Sequence, residues 1–325
     1  MIIVTGAAGL IGSSIVWGLN QAGINDIILV DNLRSSEKWK NLRALKYADY
    51  LEKDVFREML LSGNLPQNVT AIIHMGACSA TTETDASYLI DNNFEVTKEL
   101  ALYCVKKGIK FIYASSSATY GDGANGYVDD EDNLDYLRPM NMYGYSKHMF
   151  DLWAKRKGLF SEITGLKFTN VYGPNERHKA HMRSVVCRAY EQISEGGKLQ
   201  LFKSYRSEYK DGEQMRDFLY VKDAVKMVLF LLNHQNSGGL FNIGSGIAET
   251  WNALADAAFK AFDKPINIEY IEMPEHLKDK YQYYTKAEMG KLLSLGYDGG
   301  TMGLKDSIHD YICNYMIVDK FLGDE

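Results

Sequence analysis

An α/β fold built on a doubly wound parallel sheet follows from three features of this 325-residue sequence. Short apolar runs alternate with stretches long enough for a crossover helix. The runs are rich in Ile, Val, Phe and Tyr and are bounded by turn residues, and the first of them passes straight into a glycine-rich turn. Crossovers between parallel strands are right-handed almost without exception, so helices cover both faces of the sheet.

In chain order, "MIIVTG", "DIILVD", "AIIHMGA", "KFIYASS" and "TGLKFTNVYG" each read as one strand, and a helix begins near Leu10. After Tyr172 the rhythm changes. The helical pattern "MRSVVCRAYEQISEGG" stops at a glycine pair, and "KSYRSEYKDGEQ" has no hydrophobic periodicity. "MRDFLYVKDAVKMVLFLL" predicts a strand passing into a helix, and "GLFNIGSG" one further strand. From about Gly246 come a helix ("WNALADAAFKAF"), an alternating run ("INIEYIEM") and a terminal helix. The expected division is a larger Rossmann-type unit, residues 1–171 plus about 214–245, with a smaller, interleaved α/β unit of about 172–213 plus 246–325.

Composition narrows the partners. With 36 Lys and Arg against 42 Asp and Glu the formal charge is -6, which offers no basic face to a nucleic-acid backbone. The longest apolar runs, such as "MVLFLL", fall far short of the ~20 residues of a membrane span, and "MIIVTGAAG" lacks the charged lead of a signal peptide. Cys78, Cys104, Cys187 and Cys313 are scattered without metal or redox spacing and read as free thiols. A cytoplasmic protein of small ligands is expected, with neither nucleic acid nor membrane as partner.

"TGAAGLIG" places Gly6, Gly9 and Gly12 between an apolar strand and a helix. There glycines allow a tight turn and close backbone approach, and the helix-start amides, from Leu10 and Ile11 onward, face a pyrophosphate. Asp31, nineteen positions past Gly12, closes the second strand, where a carboxylate accepts hydrogen bonds from an adenine ribose. Alone it points to NAD. Asn32, Arg34 and Lys38 follow at once, and cations there could hold the extra phosphate of NADP, so the residues leave both open. Lys53 and Asp54 are expected near the adenine. In "HMGACSA", His74 reads as a packed core histidine, and small Gly76 and Ala77 let the backbone approach a cofactor.

Further on, "YASSSATYG" ends a strand with Ser115, Ser116 and Ser117, and "YGYSK" sets Tyr143 and Lys147 four apart, on one helix face. A lysine beside the phenol is expected to lower its pKa and make it an acid or base near neutrality. A third cluster, "PNERHKAHMRS", gathers two arginines, two histidines and a lysine in an acidic chain. His178 and His181 alone make no metal site, because no carboxylate or cysteine pattern completes the set.

The ordered set "TGAAGLIG", "GACSATT", "YASSSATYG", "YGYSK", "TNVYGP" and "RDFLYVKD" resembles the extended short-chain dehydrogenases, which act on nucleotide sugars, and the resemblance spans nearly the whole chain. It implies that Ser116 and Tyr143 contact the reacting hydroxyl and that Lys147 binds the nicotinamide ribose. Within the family, "HMGACSATTETD", "LIDNNF" and "NVYGP" followed by "HKAHM" are similar to the branch that epimerises ADP-heptoses for the lipopolysaccharide core. That likeness implies NADP, with Asn32 and Lys38 near its extra phosphate, and maps a second catalytic lysine onto Lys179. It also implies cofactor contacts from Lys53, Met75, Gly76, Ala77, Cys78, Ser79, Asn92, Val171 and Lys179. Substrate contacts are implied for Asn170, His181, Arg188, Phe202, Lys203, Ser204, Tyr205, Arg216 and Tyr281, with homo-oligomers as the assembly. His178 is expected over the sugar, and Arg177, His181, Arg183 or Arg188 at the diphosphate, beside a helix start near Ala180. The chain departs from the pattern in Ala180, His181 and Arg183 after the lysine, in the long "YRSEYKDGEQ", and in Met75 where an acidic residue is common. A UDP-hexose 4-epimerase would share Ser116, Tyr143 and Lys147, whereas a non-catalytic NADP sensor would be expected to have lost Tyr143 or Lys147.

Overall fold

The structure is a computed structural model that describes residues 1–278 and 281–324, without the side chains of His181 and His276. Its centre is a seven-stranded, all-parallel sheet. Strands β1 (Ile2–Thr5), β2 (Ile27–Asp31), β3 (Asp49–Glu52), β4 (Ala71–His74), β5 (Lys110–Ala114) and β6 (Ile163–Phe168) are joined by β10 (Gly239–Ile243), in the order β10-β6-β5-β4-β1-β2-β3. β1, β2 and β4 are buried at every position, and Ile3 pairs with Ile28 on one side and Ile72 on the other. Continuous rather than alternating apolar character is what a sheet covered on both faces demands. The chain reverses its direction of travel across the sheet between β1 and β4, which opens a crevice above their carboxyl ends.

Helices α1 (Leu10–Gln21), α2 (Lys53–Leu61), α3 (Val96–Lys107), α4 (Met142–Arg156), α5 (Val185–Gly196), α6 (Val221–Asn233), α7 (Trp251–Ala261) and α8 (Leu304–Tyr311) complete the main frame. One face of the sheet is covered by Ile15, Val16 and Leu19 of α1 with Val225 and Val228 of α6. The two helices approach so closely that a Cβ on Gly18 would lie 2.3 Å from Val225 Cγ1. The other face carries Phe56 and Leu60 of α2, Leu100 and Ala101 of α3, and Phe150 and Ala154 of α4. A third core, including Tyr172, Val186, Ile193, Leu254, Phe259 and Ile308, lies between α5, α7 and α8. Beside it, β7 (Asn170–Tyr172), β9 (Met215–Tyr220) and β11 (Ala248–Thr250) form a three-stranded sheet, and β8 (Leu199–Phe202) pairs with β12 (Ile268–Ile271). We propose the same two interleaved units as the sequence suggested, the third core belonging to the smaller. β9, assigned from sequence to the larger unit, pairs with β7 and β11 and not with the seven-stranded sheet.

Two sequence expectations are corrected. "TGLKFTNVYG" is not one strand: Thr169 breaks it, its amide bonding Ile243 O at 3.0 Å, and the chain continues as β7 in the second sheet. α5 starts at Val185 and not near Ala180, because Ser184 accepts the Cys187 amide at 3.1 Å as its N-cap. Among the described residues no helix is long and apolar enough to cross a membrane.

Candidate active site

At the crevice, backbone and not side chains makes the surface. Gly6 sits at φ +64°, and a Cβ there would lie 2.7 Å from the Gly76 amide nitrogen; one on Gly12 would meet Gly6 O at 2.0 Å. Neither position admits another residue, and α1 starts after Gly9 with no side chain capping its first-turn amides. Those of Leu10 and Ile11 are therefore open to an anion. At the end of β2, buried Asp31 receives Ala8 N at 2.8 Å on one oxygen, and Asn32 N at 2.6 Å and Lys38 Nζ at 2.5 Å on the other. Lys53 opens α2 and pairs at the surface with Asp54 at 2.5 Å.

The loop Met75–Ser79 leaves β4 across from this turn. Met75, unexplained from sequence, packs its side chain on the core beneath β1. Gly76 N donates to Thr5 Oγ1 at 3.1 Å. Asn93, which the sequence reading passed over, holds the loop. Its Oδ1 accepts Cys78 N at 2.8 Å, and its Nδ2 donates to Cys78 O at 3.0 Å and Ser146 Oγ at 3.1 Å. Asn92 Nδ2 donates to Asn93 Oδ1 at 3.0 Å. Residues 90–95 are wound as a π-helical turn, a feature that often marks functional sites. His74 is the packed histidine expected: Nδ1 lies 2.6 Å from Thr5 Oγ1 and Nε2 3.1 Å from Thr97 Oγ1, and burial pushes its pKa down to about 3.

Ser116 lies two residues past the end of β5 and caps the turn 117–120, and α4, capped by Asn141 Oδ1 on Gly144 N at 2.8 Å, carries Tyr143 and Lys147. Lys147 is 3 % exposed, and among the described residues its Nζ has no hydrogen-bond partner. Desolvation pulls its pKa down to about 8, with Asp151 opposing. Tyr143 corrects the sequence reading. Burial raises its pKa and only the Ser116 hydroxyl favours the phenolate, so Lys147 does not act on it as expected. Spacing fixes a shared helix face but not the solvation of either group. A side-chain-free glycine turn, a carboxylate at one end and a buried ammonium with no partner among the described residues at the other fit a dinucleotide.

The segment 174–184 lies against the glycine turn. Fully buried Glu176 accepts Ser184 N and Ser184 Oγ, each at 2.7 Å, and Lys179 N bonds Glu176 O at 3.0 Å. Asn175 donates to Ser13 Oγ on α1 at 3.0 Å. Asn41 Nδ2 reaches Ala8 O at 2.8 Å, Asn175 O at 2.9 Å and His178 Nδ1 at 3.2 Å. His178 is thus tied to Asn41 in the turn after β2, and desolvation lowers its pKa to about 4, leaving it neutral. Arg177 is engaged by Asp319 and by Tyr315 O at 2.9 Å, and Arg183 by Glu191, so neither is the free diphosphate ligand expected. His181's side chain lies outside the described residues. Ala180 adopts φ 46°, ψ -122°, a strained left-handed conformation that glycine takes more readily, directly after Lys179.

On the far side of the crevice, Asn170 is exposed at the start of β7, Val171 is half-buried beside it, and Arg188 is exposed on α5. Arg216, 6 % exposed, lies 5.0 Å over the Tyr281 ring and 5.6 Å from that of Trp251. Among the described residues no carboxylate pairs with it. Trp251 Nε1 fixes Tyr281 by donating to its hydroxyl at 2.9 Å, and Phe202 meets Tyr281 edge-on at 6.5 Å. Lys203 pairs with Glu272 at 2.6 Å, Tyr205 donates to the same carboxylate, and Ser204 N bonds Asp211 Oδ1 at 2.7 Å. Tyr205 N also donates to Tyr283 OH at 2.9 Å, so the turn after β8 is fastened to the stretch that carries Tyr281.

Comparison with known proteins agrees with this geometry. A relative from Nitratidesulfovibrio vulgaris named ADP-L-glycero-D-manno-heptose-6-epimerase is 52% identical over 316 residues, covering 97% of this chain and 98% of that one. One of the same name from Fusobacterium nucleatum is 49% identical, with 97% and 98% covered. The crystal structure of the Helicobacter pylori ADP-L-glycero-D-manno-heptose-6-epimerase superposes with a TM-score of 0.77 at 24% identity, covering 96% of this chain and 95% of that one. A family description matches residues 2–244, from β1 through β10, and takes in the glycine turn, the serine strand and the Tyr143–Lys147 helix. The chain belongs to the NAD dependent epimerase/dehydratase family.

Proposed function

We propose that this chain epimerises ADP-heptoses at carbon 6, interconverting ADP-D-glycero-D-manno-heptose and ADP-L-glycero-D-manno-heptose for the lipopolysaccharide core, as a cytoplasmic, NADP-dependent isomerase. The 52% identity to an enzyme of that name, over 97% of this chain, carries the reading. Solved 4-epimerases of UDP-linked sugars share the fold, but at 22% identity in the Thermus thermophilus enzyme that likeness speaks to the fold alone. The Asp31 carboxylate is already met by Lys38, which supports NADP: its charge is balanced, and an ammonium stands beside the ribose position.

The hydrogen on a secondary alcohol carbon is not acidic, so proton removal alone cannot invert it. A bound nicotinamide supplies reversible hydride removal and return. The protein holds the protons. Tyr143, with Ser116 beside it, takes the hydroxyl proton on one side of the sugar, and Lys147 holds the ribose on the same helix face. A carbonyl that has turned over presents its oxygen elsewhere and needs a second donor, the role of Lys179. Arg216, in its aromatic setting, is suited to a diphosphate.

The experiment is NMR analysis of ADP-D-glycero-D-manno-heptose incubated with the protein. The second diastereomer should form without solvent deuterium on carbon 6, and Lys179→Ala should lower turnover by roughly 10²–10⁴-fold. No epimer, deuterium on carbon 6, or a Lys179→Ala enzyme as fast as the parent would each overturn the reading.

A further inference from the structure

Directly behind the reacting end lies a charged pair that the proposed reaction does not use. Asp151, on α4 one turn past Lys147, is fully buried, as is Lys167 of β6, and their charged atoms are 2.9 Å apart. Asp151 also accepts Tyr113 OH at 2.8 Å and Ser115 Oγ at 2.7 Å. Lys167 donates to Thr119 Oγ1 at 2.6 Å and stands 5.0 Å over the Tyr120 ring. Thr119 in turn donates to the carbonyl of Ser116 at 2.7 Å.

A buried ion pair is a poor way to gain stability, since well-packed apolar groups of similar volume serve as well or better. What this one does is join four pieces of chain. It ties the end of β5, the turn 115–119, α4 and β6 through directional bonds, at the point where Ser116 and the Tyr143–Lys147 helix must be held in mutual register. Apolar packing would not fix that register to the tolerance that proton transfer needs.

We propose that Asp151 and Lys167, acting through Thr119 and Ser115, are positioning residues that set Ser116 against Tyr143 and Lys147. The inference rests on the catalytic reading of those three side chains. Thr119→Val tests it without creating a buried charge, because it removes only the hydroxyl between the ammonium and the Ser116 carbonyl. Its expected effect is a fall in kcat of about tenfold with KM and cofactor affinity close to the parent's, and a Tm lowered by only a few degrees, since the ammonium loses one acceptor but keeps Asp151. Thr119→Ser, which restores the hydroxyl, should recover most of the loss. The double variant Asp151→Leu with Lys167→Met removes both charges together; it should fold and bind cofactor with kcat lowered further.

A Thr119→Val enzyme with the parent's kcat, or a folded double variant with the parent's kcat, overturns the positioning role. Tyr143→Phe run alongside separates the two failures. If Tyr143→Phe stays active, the catalytic reading falls and takes the inference with it. If Tyr143→Phe is dead while Thr119→Val is unimpaired, the catalytic reading stands and the positioning role alone is lost.

Discussion

Lys147 illustrates how a single residue trades stability for readiness. Burial lowers its pKa from 10.5 to about 8, and at about 1.4 kcal/mol per unit the charged form carries a folding cost on the order of 3 kcal/mol. The folded pKa lies below the unfolded one. The cost is therefore complete below pH 8, and it is relieved as pH rises from 8 toward 10.5, where the unfolded chain also loses the proton. Lys147→Met should accordingly raise the Tm of the cofactor-free protein at pH 7 while abolishing epimerisation, and that gain should shrink at pH 9.5. Calorimetry at the two pH values checks this; a gain that grows with pH would contradict the burial argument. Cofactor should stabilise the parent more than Lys147→Met, since ribose hydroxyls would give the ammonium the partners it lacks.

At the scale of elements, the segment bearing Lys179 is held by side chains from the nucleotide-side loop, and Asn41 is the principal clip. Asn41→Ala removes its bonds to Ala8 O, Asn175 O and His178 together. The expected outcome is a turnover loss of about tenfold and faster trypsin cleavage within 177–183 than in the parent, read by mass spectrometry of the fragments. Unchanged cleavage would show that the segment is held by Glu176 and Asn175 alone. This part of the site was only half legible in the sequence. The cluster of cations stood out, but the roles of its members depend on partners far along the chain: Asn41 and His178 are 137 positions apart. Local signals fared better. The glycine turn, the second strand ending at Asp31 and the Tyr143–Lys147 helix each follow from a short stretch whose pattern is set by nearest neighbours. β3 escaped notice because it is an edge strand with exposed Asp49 and Glu52, lacking the apolar run of a buried one. The direction of the Tyr143 shift was misread because desolvation is a property of the assembled site.

For the whole molecule, the parallel sheet was legible because each central strand is a short, mostly apolar, buried run, whereas the sheet to which β7 and β9 belong was not, since pairing across distant stretches leaves no periodic trace. The same long-range character governs the C-terminal segment. Leu322 N bonds Asn175 Oδ1 at 3.0 Å across 147 positions, Asp324 pairs with Arg43 at 2.6 Å, and the Phe321 ring lies under the guanidinium groups of both Arg43 and Arg177. Deleting residues 321–325 should leave cofactor binding largely intact, because the glycine turn and Asp31 are untouched, yet lower turnover by about 10²-fold. Cofactor titration and the NMR assay on the same preparation separate the two effects, and full activity in the truncated chain would deny the segment any part in holding Lys179.

The fastening of Asn175 by Leu322 has a temporal side. During synthesis the nucleotide cradle can close as soon as β4 and its following loop have emerged, but the arch over it stays unlatched until Leu322 has emerged as well. A nascent chain can thus shape its glycine-lined crevice well before the segment lying over it is fastened by Leu322.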